Sequence, residues 1–183
     1  MASSDTKSRF TAKLLAPYDA GGDVHWAFVI LPKDVSKKLP RRGRTTVDGI
    51  INSHHFRAML EPDGQLSHWL RIDKALLESA DVSVGDIVSF EIMPADREPE
   101  PDVPSDLEVA LASAPDARAN WDKTTTIARL DWIHWITSAK QPGTRIKRVA
   151  NACEMLASGK RRVCCFDPSG YYSKAFAAPK AKE

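Results

Sequence analysis

The stretch Pro94-Ala95-Asp96-Arg97-Glu98-Pro99-Glu100-Pro101-Asp102-Val103-Pro104 divides the chain. Its four prolines remove backbone donors and favour extended geometry, and four acids stand there against one Arg. Neither a helix nor a central strand fits that composition, so residues 94–104 read as a Pro-rich acidic linker. The sequence changes period across it. Residues 1–93 alternate apolar and polar positions, whereas residues 105–183 repeat apolar positions at helical spacing. The expected fold class is α+β, a barrel domain over 1–93 followed by a small helical domain with an irregular tail over 105–183.

On the N-terminal side, Phe10, Ala12 and Leu14 point one way and Arg9, Thr11 and Lys13 the other, as in a half-buried strand. His25–Leu31 is apolar on both parities. Val47/Gly49/Ile51 and Phe56/Ala58/Leu60 alternate around Asn52-Ser53-His54, which reads as a hairpin. Leu66–Ile72 and Ile87–Ile92 complete about six strands, with short helices near Pro32–Leu39 and Asp73–Ala80. An internal echo supports closure. His25-Trp26, Lys33, Gly43 and Val47 are answered by His68-Trp69, Lys74, Gly85 and Val88. A duplicated strand–helix–strand unit implies a six-stranded barrel with pseudo-two-fold symmetry.

On the C-terminal side, Ser105-Asp106-Leu107-Glu108 has the form of a capping box that opens a first helix. Pro115 opens a second that carries Trp121, and Thr124–Thr126 offers caps for a third. Ala128, Trp132, Trp135, Ile136 and Ala139 predict one buried face there. Gln141-Pro142-Gly143 separates a fourth helix, whose apolar stripe reads Ile146, Val149, Ala150, Cys153, Leu156 and Ala157, with Gly159 as its stop.

The 183 residues carry 26 Lys+Arg and 24 Asp+Glu, with 43% hydrophobic residues and three Cys. That composition excludes wholesale disorder and a disulfide scaffold. The Ser-rich, charged residues 1–10 lack the apolar core of a secretory signal, and no window approaches a membrane span. Cytoplasmic localisation with reduced thiols is expected. Divided at the linker, the charge is balanced over 1–93, about −3 over 94–104 and about +5 over 105–183.

The block Trp132-Ile133-x-Trp135-Ile136, Ala139-Lys140, Thr144-Arg145-Ile146-x-Arg148-Val149, then Leu156-Ala157-x-Gly159-Lys160-Arg161, resembles the bacterial YdeI-like or OmpD-associated family of bacteriocin-protection proteins. Cys164-Cys165-Phe166, Ser169-Gly170 and Tyr172-Ser173 fit the end of that family. Val47-Asp48-Gly49-x-Ile51-Asn52, Phe56-Arg57, His68, Lys74 and Gly85-Asp86-x-Val88 resemble the small uncharacterised barrel domain often joined to it. The resemblance implies a double-split β-barrel, related in shape to AbrB-class barrels, and a role in stress or envelope defence. The sequence departs from the pattern at Ser53 and His55, where Gly and Pro are expected, and at Gln65-Leu66, which replaces a Gly-rich turn.

The candidate site is the basic set Lys140, Arg145, Arg148, Lys160 and Arg161, with Lys147 and Arg162 nearby. Arg145 stands in the first turn of its helix, where the dipole favours an acid, so an anionic ligand or the acidic linker is its expected counterpart. His68, Trp69 and His134 form a second candidate, a polar pocket. Asp131, His134 and Ser138 share a helix side, but no oxyanion-hole motif accompanies them, so no catalytic residue is assigned. Of the five histidines, His25, His54, His55 and His68 raise a metal question but lack metal-ligand spacing, and neither metal nor cofactor is expected. Isolated turn glycines at Gly21-Gly22, Gly43 and Gly85 make no phosphate loop. Cys164-Cys165 follows three cations that favour a thiolate, although a buried apolar pair is its ordinary reading. The chain therefore reads as a non-enzymatic binding protein for an anionic ligand or protein partner, without membrane insertion. Two alternatives stand beside it, a nucleic-acid-binding or regulatory protein using the barrel, not favoured by its balanced charge, and an enzyme with an unrecognised pocket.

Overall fold

The computed structural model describes residues 6–19 and 25–183; Gly21-Gly22 and the first five residues lie outside them. The chain forms two compact units, residues 1–97 with 167–183, and residues 98–166.

In the first unit, β1 (Ser8–Lys13), β2 (Ala27–Ile30), β3 (Thr45–Ile51), β4 (His54–Pro62), β5 (His68–Ile72) and β6 (Ile87–Pro94) form one antiparallel sheet in the order β1-β6-β3-β4-β5-β2. Leu15 and Phe28 exchange backbone hydrogen bonds of 2.9 Å in both directions and draw the two edges together into a nearly closed barrel. Exchanging β1 with β4, β2 with β5 and β3 with β6 leaves every strand's neighbours unchanged, as the echo in the sequence requires. The inward residues Val47, Ile51, Leu60, Leu70, Ile72, Val88, Phe90 and Ile92 are buried and form the core. Phe10 stacks on its cross-strand partner Phe90 with centroids 5.0 Å apart. Gly49 faces Phe56, whose ring would lie 2.5 Å from any Cβ built there, so the glycine makes room for the aromatic across the ladder.

The β3–β4 turn has φ of +46° at Asn52 and +66° at Ser53, the left-handed pair a two-residue hairpin needs. Leu66 takes +67° in the β4–β5 connection. Two departures from the family pattern thus fall where the backbone favours glycine. Two short helices, α1 (Lys33–Ser36) and α2 (Lys74–Ala80), follow β2 and β5; the Asp73 side chain caps α2 by accepting from the Leu76 amide.

The sequence assigns 167–183 to the helical side, but these residues pack with the barrel. Tyr18 N–H donates to the Lys180 carbonyl at 2.7 Å and Lys182 N–H to the Ala16 carbonyl at 2.8 Å. Gly64, at φ +72°, lies so close to the Phe176 carbonyl that a Cβ would sit 2.0 Å from its oxygen.

The second unit contains α3 (Ser105–Ala112), α4 (Pro115–Lys123), α5 (Thr126–Thr137) and α6 (Pro142–Ala157) around a core of Leu107, Leu111, Trp121, Trp132, Ile136, Val149 and Leu156. Thr125 caps α5 through the Ala128 amide, and Pro115 occupies the first turn of α4. Three expectations are corrected here. Pro104, not Ser105, stands at the N-cap of α3, so no capping box closes; Glu108 pairs with Arg118 instead. Helix α5 is buried around most of its circumference, including Leu130, Ile133 and His134, rather than along a single face. The buried stripe of α6 is Val149, Ala152 and Leu156, while Ile146 is 70% exposed. At about 100° per residue, Arg145 and Arg148 lie on that stripe and Ile146 lies off it.

Candidate functional site

Arg145 and Arg148 are drawn inward by this rotation of α6. Arg145 grips Asp106 through two nitrogens at 2.7 and 3.2 Å, and its guanidinium holds the Asp106 carboxyl below the usual carboxylate range. The counterpart expected from the helix dipole is therefore an acid beside the linker, in the first turn of α3. Arg148 donates to the Trp135 carbonyl and, at 3.2 Å, to the Ser138 hydroxyl, and lies over the Trp135 ring at 5.4 Å. It thereby satisfies carbonyl and hydroxyl acceptors at the C-terminal end of α5. The linker acid Glu100 is engaged too, by Arg129 and by the Thr126 hydroxyl at 2.8 Å.

Counted by structural unit, residues 98–166 hold ten basic and nine acidic side chains, so the helical unit is close to neutral as a whole. Its charge is sorted along the chain. Residues 139–166 contain seven of the cations and one acid, Glu154. Among the described residues, Lys140, Lys147, Lys160, Arg161 and Arg162 have no carboxylate within ion-pair distance and all are exposed. They do not form one cluster: Lys140 precedes α6 and Lys160 follows it, and the 16 residues of that helix span about 24 Å.

The backbone entering segment 160–166 is anchored at the Lys160 amide and the Arg161 carbonyl. Gly159, at φ +93°, ends α6, and the amides of Gly159 and Lys160 return to the carbonyls of Leu156 and Met155 at 2.9 and 3.1 Å. This is a Schellman closure, which engages the Leu156 and Met155 carbonyls. Trp132 Nε1 then donates to the Arg161 carbonyl at 3.3 Å, Val163 packs on the helical core, and Phe166 sets its ring edge against His134 at 5.4 Å. Between those anchors the side chains of Lys160, Arg161, Arg162, Cys164 and Cys165 stand in solvent. The cysteines are thus exposed rather than a buried apolar pair, their sulfurs 3.0 Å apart.

His68 and Trp69 belong to the barrel, and His134 is buried in the helical unit. His68 is fully buried. Its Nε2 meets the Gly43 carbonyl at 2.9 Å, which fixes the proton on Nε2 and leaves Nδ1 to accept from the Ser36 hydroxyl at 2.8 Å. Burial pushes its pKa below the ordinary histidine value, in keeping with a neutral ring that ties α1 and the Gly43 turn to β5. Trp69 sets its edge on Phe28 at 6.2 Å.

The barrel also presents two open depressions of about 840 and 590 Å³ over β1, β6, β3 and β4, sharing Ile50 and Glu91. Sequence reasoning missed them, because outward residues of three or four strands must be aligned by register before they form a surface. Ion pairs cross this face: Lys7 and Arg9 both hold Glu91, at 2.5 and 2.7 Å, and Arg57 holds Asp48 at 2.7 and 2.9 Å. The Glu91 and Asp48 carboxyls are held below their usual range by those hydrogen bonds.

Compared with known families, residues 100–159 match the family described as bacteriocin-protection, YdeI or OmpD-associated. Residues 10–92 match a domain of unknown function, DUF1905. The two matches support a YdeI-like, OmpD-associated assignment for the helical part, preceded by an uncharacterised domain. The OmpD-associated match ends at Gly159, just before the displayed basic segment, and the DUF1905 match spans the six-stranded barrel except for the first two residues of β1 and the last two of β6. No curated protein matches the chain. Among the described residues, no helix is long and apolar enough to cross a membrane.

Proposed function

We propose that this YdeI-like chain is a non-enzymatic binding protein of the bacteriocin-protection type. On this reading its helical unit takes an anionic ligand or partner on Lys160 and Arg161, with Arg162 beside them. One observation carries the reading: three consecutive cations sit on a pinned backbone with no counter-ion among the described residues. They are not needed as donors to the Met155 and Leu156 carbonyls, which the Schellman bonds and Asn120, donating to the Leu156 carbonyl at 2.7 Å, already engage. Lys140 adds a further positive site at the other end of α6, while Arg145 and Arg148 hold the frame. We place the action in the cytoplasm, in stress or envelope defence, because exposed free thiols suit a reducing compartment.

The barrel is a weaker nucleic-acid surface. The cations around its depressions already have carboxylate partners, so few phosphate contacts are on offer.

The test is expression of the full chain in a bacteriocin-sensitive bacterium. Survival above the vector control is expected, and K160Q/R161Q/R162Q should remove it at equal amounts of folded protein. A parent chain that gives no protection overturns the role, and a triple variant that protects as well as the parent overturns the site.

A further inference from the structure

Cys164 and Cys165 are both exposed, adjacent in sequence, and in sulfur–sulfur contact at 3.0 Å. Cys165 takes φ +60°, a left-handed conformation that is unfavourable for a side chain. Anchors flank the pair: Val163 packs on the helical core on one side and Phe166 lies against His134 on the other. Lys160 is near enough for its charge to act on the Cys165 sulfur, and Arg161 and Arg162 follow it in the same exposed segment. Cys153 lies in α6, half-buried, and burial pushes its thiol up, which makes it an internal reference.

We infer that Cys164-Cys165 is a thiol–disulfide exchange site whose reagent is a small, carboxylate-bearing disulfide guided by Lys160, Arg161 and Arg162. The Cys164 thiolate attacks one sulfur of the reagent, forming a mixed disulfide and releasing one half as a thiol once it gains a proton. Cys165 then loses its proton to solvent and attacks the Cys164 sulfur, forming the vicinal disulfide and expelling the second half as a thiol. Two protein thiols are oxidised, and one small disulfide is reduced to two thiols. Either sulfur can donate the proton shared across the 3.0 Å contact; Cys164 is assigned the attack, and the Cys165→Ser adduct tests that order.

The choice of reagent rests on the cations invoked for anion binding above; the exchange chemistry does not. The experiment separates the two by treating the full chain with glutathione disulfide, which is anionic, and with cystamine, which is cationic, followed by peptide mapping. The peptide holding 164–165 should lose two hydrogens and retain no adduct, while Cys153 stays unmodified. Cys165→Ser should trap a mixed disulfide on Cys164. The anionic reagent should react faster, and K160Q/R161Q/R162Q should slow it about 3- to 10-fold without slowing cystamine. A stable adduct on the parent chain, or no oxidation of the pair, overturns the exchange site. Equal rates with both reagents, unchanged by the triple variant, overturn the charge selection and count against the basic segment as an anion site even if the bacteriocin assay succeeds.

Discussion

The two ends of α6 carry the same kind of residue and put it to different use. At the N-terminal end, Arg145 is bound to Asp106 and Arg148 to the end of α5. Beyond the C-terminal end, Lys160, Arg161 and Arg162 have their backbone pinned and their charges open. A cation's role here follows from the acceptors within reach. One end joins helices to each other, and the other is available to something outside the unit.

That contrast sets the order of expected effects. Arg148→Ala should cost most, about 1–3 kcal/mol in chemical denaturation, because the partly buried Trp135 carbonyl loses a charged donor. Arg145→Gln should cost less, roughly 0–1 kcal/mol, since the pair is partly exposed and solvent screens it. Its signature is in the pH profile. Asp106 and Glu100 are held low by Arg145 and Arg129, so their stabilisation is present above the ordinary carboxylate range and is lost as pH falls through the folded values. Arg145→Gln should flatten that acid slope in denaturation midpoints measured from neutral pH downward. K160Q/R161Q/R162Q should change stability least, by about 0.5 kcal/mol or less. A larger loss would make both ends of α6 structural and erase the contrast.

The barrel permits a similar comparison between sequence and backbone. Strand β1 was readable because it buries one parity, Phe10, Ala12 and Leu14 against Arg9, Thr11 and Lys13. The hairpin at Asn52-Ser53 was readable as well, and the absence of glycine there has a physical cost at φ +66°. Ser53→Gly should accordingly raise barrel stability by up to about 1 kcal/mol, visible as a higher denaturation midpoint.

What sequence missed depended on neighbours distant in the chain. The stripe of α6 was misplaced because Ile146 outweighs Ala152 in any apolar pattern, although the small residue is the one that packs. Arg145 and Arg148 were recognised as special from their position, yet their partners Asp106 and Trp135 lie 39 and 13 residues away. Residues 167–183 have no periodicity; their place against the barrel depends on the bare backbone of Gly64 and on Gly170, which makes room for the Phe176 ring. The candidate cations at 160–162 were visible from composition, but their fixed presentation needed the Gly159 turn and the Trp132 bond.

The central claim is that the positive charge at 160–162 is displayed for an anion while that at 145 and 148 is spent inside the fold. The most direct test is binding of the full chain to inorganic polyphosphate over a salt series, with denaturation midpoints measured on the same samples. The account predicts binding that weakens steeply with salt, is abolished by K160Q/R161Q/R162Q at an unchanged midpoint, and survives in Arg145→Gln. Binding retained by the triple variant, or lost only with Arg145, would contradict it.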